Sequence, residues 1–138
     1  MQWATNLAER TQWPGGDAPA VCLLDTGVNR AHVLIEPALS AADLTAVVTA
    51  WGATDGPEGH GTGIAGLALH GDLMGPLSDE RQLVLTHRLE SVKILPPQGF
   101  PSTDPKSYGS ITQAATALAE LTAPTRQRVF CLAVTNLD

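Results

Sequence analysis

Apolar and polar positions change their rhythm several times along this chain, and the changes mark its elements. Residues 19–24 (Pro19, Ala20, Val21, Cys22, Leu23, Leu24) form a short unbroken apolar run, the pattern of a strand covered on both faces. Residues 44–51 make a second run, rich in β-branched side chains around Val47, Val48 and Thr49. Residues 89–95 alternate and stop at Pro96 and Pro97, and residues 128–134 are apolar again, which predicts a third and a fourth strand. Between them, residues 61–69 are small and apolar throughout and predict a helix buried against a sheet. Residues 110–122 carry Ile111, Ala115, Leu118 and Thr122 at helical spacing, opening with Ser110 and Gln113 in a capping-box arrangement. A further helix is expected over 3–13, and surface loops over 71–82 and 95–105. Strands separated by helices imply an α/β fold: three layers, a mostly parallel sheet, and helices on both faces. No helix follows the fourth strand, so an incomplete fold is expected.

Composition narrows the class. The 138 residues suit one domain with a real core, and 43% hydrophobic against 16% charged residues excludes a disordered chain or a coiled coil. The charged share is low beside the roughly 25% of an ordinary domain, so part of the surface is expected to face something else. Eight Lys and Arg against 14 Asp and Glu give a net charge of −6, with no run of like charges, which argues against a nucleic-acid partner. The apolar stretches are too short and interrupted to span a membrane. The N-terminus lacks the basic flank and apolar run of a secretion signal, so a cytoplasmic location is the default and a secreted one follows only if this is an excised piece. Cys22 and Cys131, each among apolar neighbours, are expected to be buried free thiols.

Two segments carry chemistry. In Leu24-Asp25-Thr26-Gly27 an apolar strand delivers a carboxylate at its C-terminal end, where parallel sheets bind ligands, and Gly27 lets the chain turn away. In Gly59-His60-Gly61-Thr62-Gly63-Ile64-Ala65-Gly66 a histidine opens a helix of small residues. The helix dipole at that position disfavours the imidazolium and is expected to keep His60 neutral, ready to accept a proton. A carboxylate on the other ring nitrogen would set its tautomer.

Together these segments resemble the subtilisin-like serine proteases (subtilases, peptidase family S8), with Asp-Thr-Gly closing a strand and His-Gly-Thr-Gly-Ile-Ala-Gly opening a helix, in that order. The second His usual in that signature is Gly63 here. Ser91-Val92-Lys93-Ile94-Leu95 looks like the family's next strand, and the likeness runs from about Asp17 to Thr135. It implies that Asp25 orients His60, and that His60 serves as general base and then acid in a Ser/His/Asp triad that hydrolyses peptide bonds. It also implies that a peptide or protein substrate pairs along residues 98–102, including Gly99, and along Ala133, Val134 and Thr135. The family's nucleophile lies in a Gly-Thr-Ser segment, and none of Ser40, Ser78, Ser91, Ser102, Ser107 and Ser110 is in such a motif. Residues 1–138 are therefore expected to be the N-terminal part of a subtilisin-like peptidase domain, inactive alone and a partner to the Ser-containing half. In the family's sheet order the first strand lies between the third and fourth, leaving the fourth as an open apolar edge through which a homodimer is expected. No cofactor is expected. Many subtilases hold calcium, but the spacing of Asp43, Asp72 and Asp79 assigns no ligands.

Plainer readings compete. Asp25-Thr26-Gly27 makes a good turn by itself, and His60 could cap a surface helix. His32, His70 and His87 carry no motif and show no zinc spacing. Trp13 and Trp51 read as packing residues, and Asp55-Gly56-Pro57-Glu58 as an acidic turn at the cleft rim. A phosphate loop at Gly59 and Gly61 is rejected, because no strand immediately precedes it and no Lys follows. A retroviral-type aspartic protease would use Asp25-Thr26-Gly27, but its nearly all-β fold leaves residues 59–68 and the 110–122 helix unexplained. A non-catalytic peptide-binding or assembly module of the same fold is the other alternative.

Overall fold

The computed structural model describes residues 2–134. Four strands, β2 (Ala20–Asp25), β3 (Leu44–Ala46), β5 (Arg88–Lys93) and β6 (Arg128–Cys131), form an all-parallel sheet in the order β3-β5-β2-β6. Two helices cover it. Helix α2 (His60–His70) lies on one face, where Ala65 and Leu69 pack with Leu23 and Leu89. Helix α4 (Tyr108–Thr122) lies on the other, where Ala115 and Ala119 pack with Cys22, Leu24, Val92 and Ile94. Consecutive β2 residues thus feed opposite cores, which is why its apolar run has no polar gap. This is the three-layer α/β arrangement expected, with the first predicted strand between the third and the fourth.

Beside the sheet, helix α1 (Gln2–Glu9) buries Ala4 and Leu7 against Leu34. A two-residue strand β1 (Thr11–Gln12) pairs in parallel with β4 (Leu83–Val84), and a short helix α3 (Met74–Ser78) lies between α2 and β4. Among the described residues no helix is long and apolar enough to cross a membrane.

Several boundaries differ from the sequence pattern, for tertiary reasons. The helix expected over 3–13 ends at Glu9, because Thr11 and Gln12 leave it to pair with Leu83 and Val84 and Arg10 turns its guanidinium onto the carbonyls of Arg81 and Pro76. The run 44–51 is strand only to Ala46. Val47 N still donates to Lys93 O (3.1 Å), but β5 ends there and the chain winds into a 3₁₀ turn at Thr49–Trp51. The loop expected over 71–82 contains α3, whose Met74 N donates to the Asp72 carboxylate (2.9 Å). The Ser110–Gln113 capping box does not form, since α4 starts at Tyr108 out of a 3₁₀ turn capped by Asp104. Strand β6 stops at Cys131, where its pairing with β2 ends at Leu23. Its edge carries exposed Val129 and Phe130, and Leu132 beyond it is also exposed.

Strand β5 holds the largest surprise. Four of its six residues, Arg88, Glu90, Ser91 and Lys93, are polar, yet all six are buried. Arg88 donates to Gly15 O and Ser40 Oγ, and Glu90 accepts from Arg126 and Arg128. Cys22 and Cys131 are both free thiols, Cys22 buried and Cys131 half-buried. Burial, then the neighbouring Glu90 charge, pushes the Cys22 thiol up to about 12, so it is protonated and inert at neutral pH.

At the far end of α2, His70 meets the Trp13 ring edge-on (5.9 Å, 86°) and its Nε2 donates to Leu34 O at 2.7 Å. Its Nδ1 is buried without a hydrogen-bond partner among the described residues. Burial holds its pKa below the usual imidazole value despite the Leu34 bond, and nearby His32 and His87 push the same way. The fold therefore prefers neutral His70. Its contribution to stability is whole above the unfolded value near 6.5 and is lost as pH falls through the lowered folded value. Urea midpoints measured at about pH 7.5 and about pH 5.5 should show the acid loss in the wild type and a smaller one in His70→Gln. Equal acid losses would remove His70 as the cause.

Candidate active site

Strand β2 ends at Asp25, and helix α2 begins at His60 in front of it. His60 Nδ1 lies 2.7 Å from Asp25 Oδ1. An ionised carboxylate only accepts, so Nδ1 carries the proton and Nε2 is left as the acceptor. The two side chains sit in contrasting surroundings: Asp25 is 2% exposed, His60 47%. Asp25 Oδ1 also accepts from Thr26 N (2.7 Å), while Oδ2 is buried without a partner among the described residues. The Asp25 hydrogen bond and its charge raise the His60 pKa above the usual imidazole value, with smaller help from Asp55 and Glu58. The adjacent carboxylate, a full charge at contact distance, raises the value that the helix dipole was expected to lower. By linkage the pair stabilises the fold fully below pH 6.5, and that contribution is lost as pH rises through the raised His60 value.

Two glycines permit this approach. Gly27 has φ +97°, and a Cβ there would meet the carbonyls of Thr54 and Ala53 at 2.6 and 2.7 Å. A Cβ on Gly61 would stand 1.9 Å from Gly27 O, so only glycine lets the first turn of α2 lie against the end of β2.

Asp55 is the residue that pattern reading passed over. Its Oδ1 accepts from Thr26 Oγ1 (2.7 Å) and Gly56 N (2.8 Å), and its Oδ2 from Thr62 N (2.8 Å) and Thr62 Oγ1 (2.7 Å). Burial pushes its carboxyl pKa up, but these bonds outweigh it and hold the group below the usual range. An aspartate five residues before the histidine, beside Gly and Pro, looks like an ordinary turn, and only the fold reveals its partners. Lys93 is similar: buried opposite Asp25 in the sheet, it donates from Nζ to Thr54 O (2.6 Å).

His60 faces a cleft of about 360 Å³ bounded by Asp55, Glu58, Lys93, Leu95, Pro97 and Gln98 among others. Leu95 also borders a neighbouring apolar cavity of about 130 Å³, with Ile94, Tyr108, Ile111, Leu132 and Val134. Of the positions expected to pair with substrate, Gly99 is exposed just past the cleft wall, with φ +95°, and Ala133 is exposed. Val134 lines the apolar cavity, and Thr135 lies outside the described residues. No residue bordering the cleft is a serine. Asp43 is ion-paired with Arg126 (3.1 Å), Asp79 with Arg81 (2.9 Å), and Asp72 accepts from Met74 N. Among the described residues no three His, Cys, Asp or Glu side chains are grouped to hold a metal ion.

The model of the subtilase family (Peptidase_S8) matches residues 16–137. No curated protein and no solved structure matches the chain.

Proposed function

The chain belongs to the subtilase family, and from that premise we propose that Asp25 and His60 are two members of a Ser/His/Asp triad that hydrolyses peptide bonds. The observation that supports this most is the 2.7 Å contact between buried Asp25 and half-open His60, whose Nε2 has no partner among the described residues. His60 Nε2 takes the proton of an attacking serine hydroxyl and later returns it to the leaving amine. Asp25 holds the tautomer and stabilises the transient imidazolium. The nucleophile lies outside residues 1–138, in the remaining part of the same catalytic domain, so these residues alone are inactive. An extended peptide pairs along Gly99 and its neighbours on one side and Ala133, Val134 and Thr135 on the other. An apolar substrate side chain fits the cavity at Leu132 and Val134.

The test uses the product of the whole reading frame and a fluorophosphonate reagent. One serine should be labelled, peptide hydrolysis should disappear with labelling, and residues 1–138 alone should show neither. The acid limb of kcat/KM should follow His60: activity appears as pH rises through its raised pKa, because only the neutral ring accepts the proton. A folded whole protein that neither labels nor hydrolyses peptides would replace catalysis with peptide binding by the same cleft.

A further inference from the structure

The Asp25–His60 contact joins the end of β2 to the start of α2, and the two ends must be held in register. Helix α2 has no side-chain cap of the ordinary kind, since its N-cap is Gly59, at φ 69°. Its free first-turn N–H groups are taken up from outside the helix. Gly61 N donates to Thr26 Oγ1 (2.9 Å), and Thr26 Oγ1 donates onward to Asp55 Oδ1. Asn29 N donates to Thr62 Oγ1 (2.9 Å), and Thr62 Oγ1 donates onward to Asp55 Oδ2, which also takes Thr62 N. Thr26 follows Asp25 directly, and Gly61 and Thr62 follow His60. Both relays therefore end on one carboxylate: the first ties the residue after Asp25 to the residue after His60, and the second ties the first turn of α2 to Asn29, in the segment that leaves β2.

We propose that Asp55 is a positioning residue: its carboxylate clips the end of β2 to the first turn of α2 and so sets the Asp25–His60 hydrogen bond. This rests on the reading of Asp25 as orienter and His60 as base. A negative group here is also favoured by the positive end of the helix, and charge-assisted bonds make the clip stiffer than a neutral cap. Asparagine cannot replace it, because in either amide orientation its Nδ2 faces donors, Thr62 N and Oγ1 on one side or Gly56 N and Thr26 Oγ1 on the other. Asp55 touches no reacting atom and acts through the geometry of the pair.

The test needs no nucleophile and uses the 138-residue chain. Proton NMR follows the His60 Nδ1 proton and the ring titration, with His70 and His87 as internal reporters of an intact fold. The wild type should show a downfield Nδ1 proton and a His60 pKa above the usual value. In Asp55→Asn the Nδ1 proton should exchange with water about tenfold faster or more, the equivalent of one charge-assisted bond, and the His60 pKa should fall. Thr62→Val keeps the Asp55 charge but removes one relay, and should move both readouts the same way. It also keeps the test decisive if Asp55→Asn fails to fold. Asp55→Asn lowering the pKa while Thr62→Val changes nothing would reduce Asp55 to a distant charge and overturn the clip, as would two variants with wild-type exchange. A wild-type His60 with no downfield proton and an ordinary pKa would instead overturn the underlying Asp25–His60 reading.

Discussion

Replacing His60 with alanine should lower kcat for peptide hydrolysis by the whole protein about 10⁶-fold, the size of loss known when the base of a subtilisin triad is removed. The cause is specific. His60 Nε2 is the free acceptor of the pair, and a serine hydroxyl near neutral pH is a weak nucleophile until its proton has somewhere to go. Asp25→Asn should cost less, about 10⁴-fold, because the imidazole remains but its tautomer is no longer enforced by an acceptor-only group. Both losses should fall on kcat with KM little changed, since the proton moves in the transition state and not on binding. The two changes combined should cost about as much as His60→Ala alone, because the residues act as one unit. Steady-state rates on a peptide substrate decide it: a His60→Ala protein within tenfold of wild type would remove His60 from the reaction.

The second large effect is on stability. Glu90 is 3% exposed and receives Arg128 Nε (2.8 Å), Arg128 Nη2 (3.1 Å) and Arg126 Nη1 (2.8 Å). Arg126 also meets Asp43 (3.1 Å), so one buried network ties β5 to β6 and to the segment before β3. Such a network is weak evidence for net stability as a whole, because desolvating its charges offsets much of their attraction. Removing one member is different. Glu90→Ala leaves half-buried Arg128 with only the Ala123 carbonyl and Arg126 with Asp43 and the Gly16 carbonyl, and should destabilise the fold by about 3–5 kcal/mol. Against a typical total of about 5–15 kcal/mol, that brings a domain of this size near unfolding at ambient temperature. Urea unfolding followed by circular dichroism measures it, and a change below about 1 kcal/mol would show that water reaches the guanidinium groups and replaces Glu90.

Asp25 and His60 were legible in the chain because each is announced by a local pattern. An apolar run ends on Asp-Thr-Gly, and a histidine heads a run of glycine and alanine. Strand β2 and helices α2 and α4 were legible for the same reason, each within a residue or two of its limits. The charged residues of β5 were not, because alternation normally marks a solvent face. Here Arg88, Glu90 and Lys93 are buried with partners 36 or more positions away: Thr54 for Lys93, Ser40 for Arg88, Arg126 and Arg128 for Glu90. Asp55 was hidden for a like reason, with Thr26 29 positions before it.

By itself, then, the chain determined the succession of strands and helices, the delivery of a carboxylate at a strand end, and the placing of an imidazole at a helix start. These follow from side-chain periodicity and backbone preference within a few residues. The tertiary structure alone decided that the two meet at 2.7 Å, that Asp25 raises the His60 pKa, and that Asp55 bonds to the elements carrying them. Those outcomes depend on burial and on hydrogen bonds between segments far apart in the chain, and neither exists until the sheet has assembled.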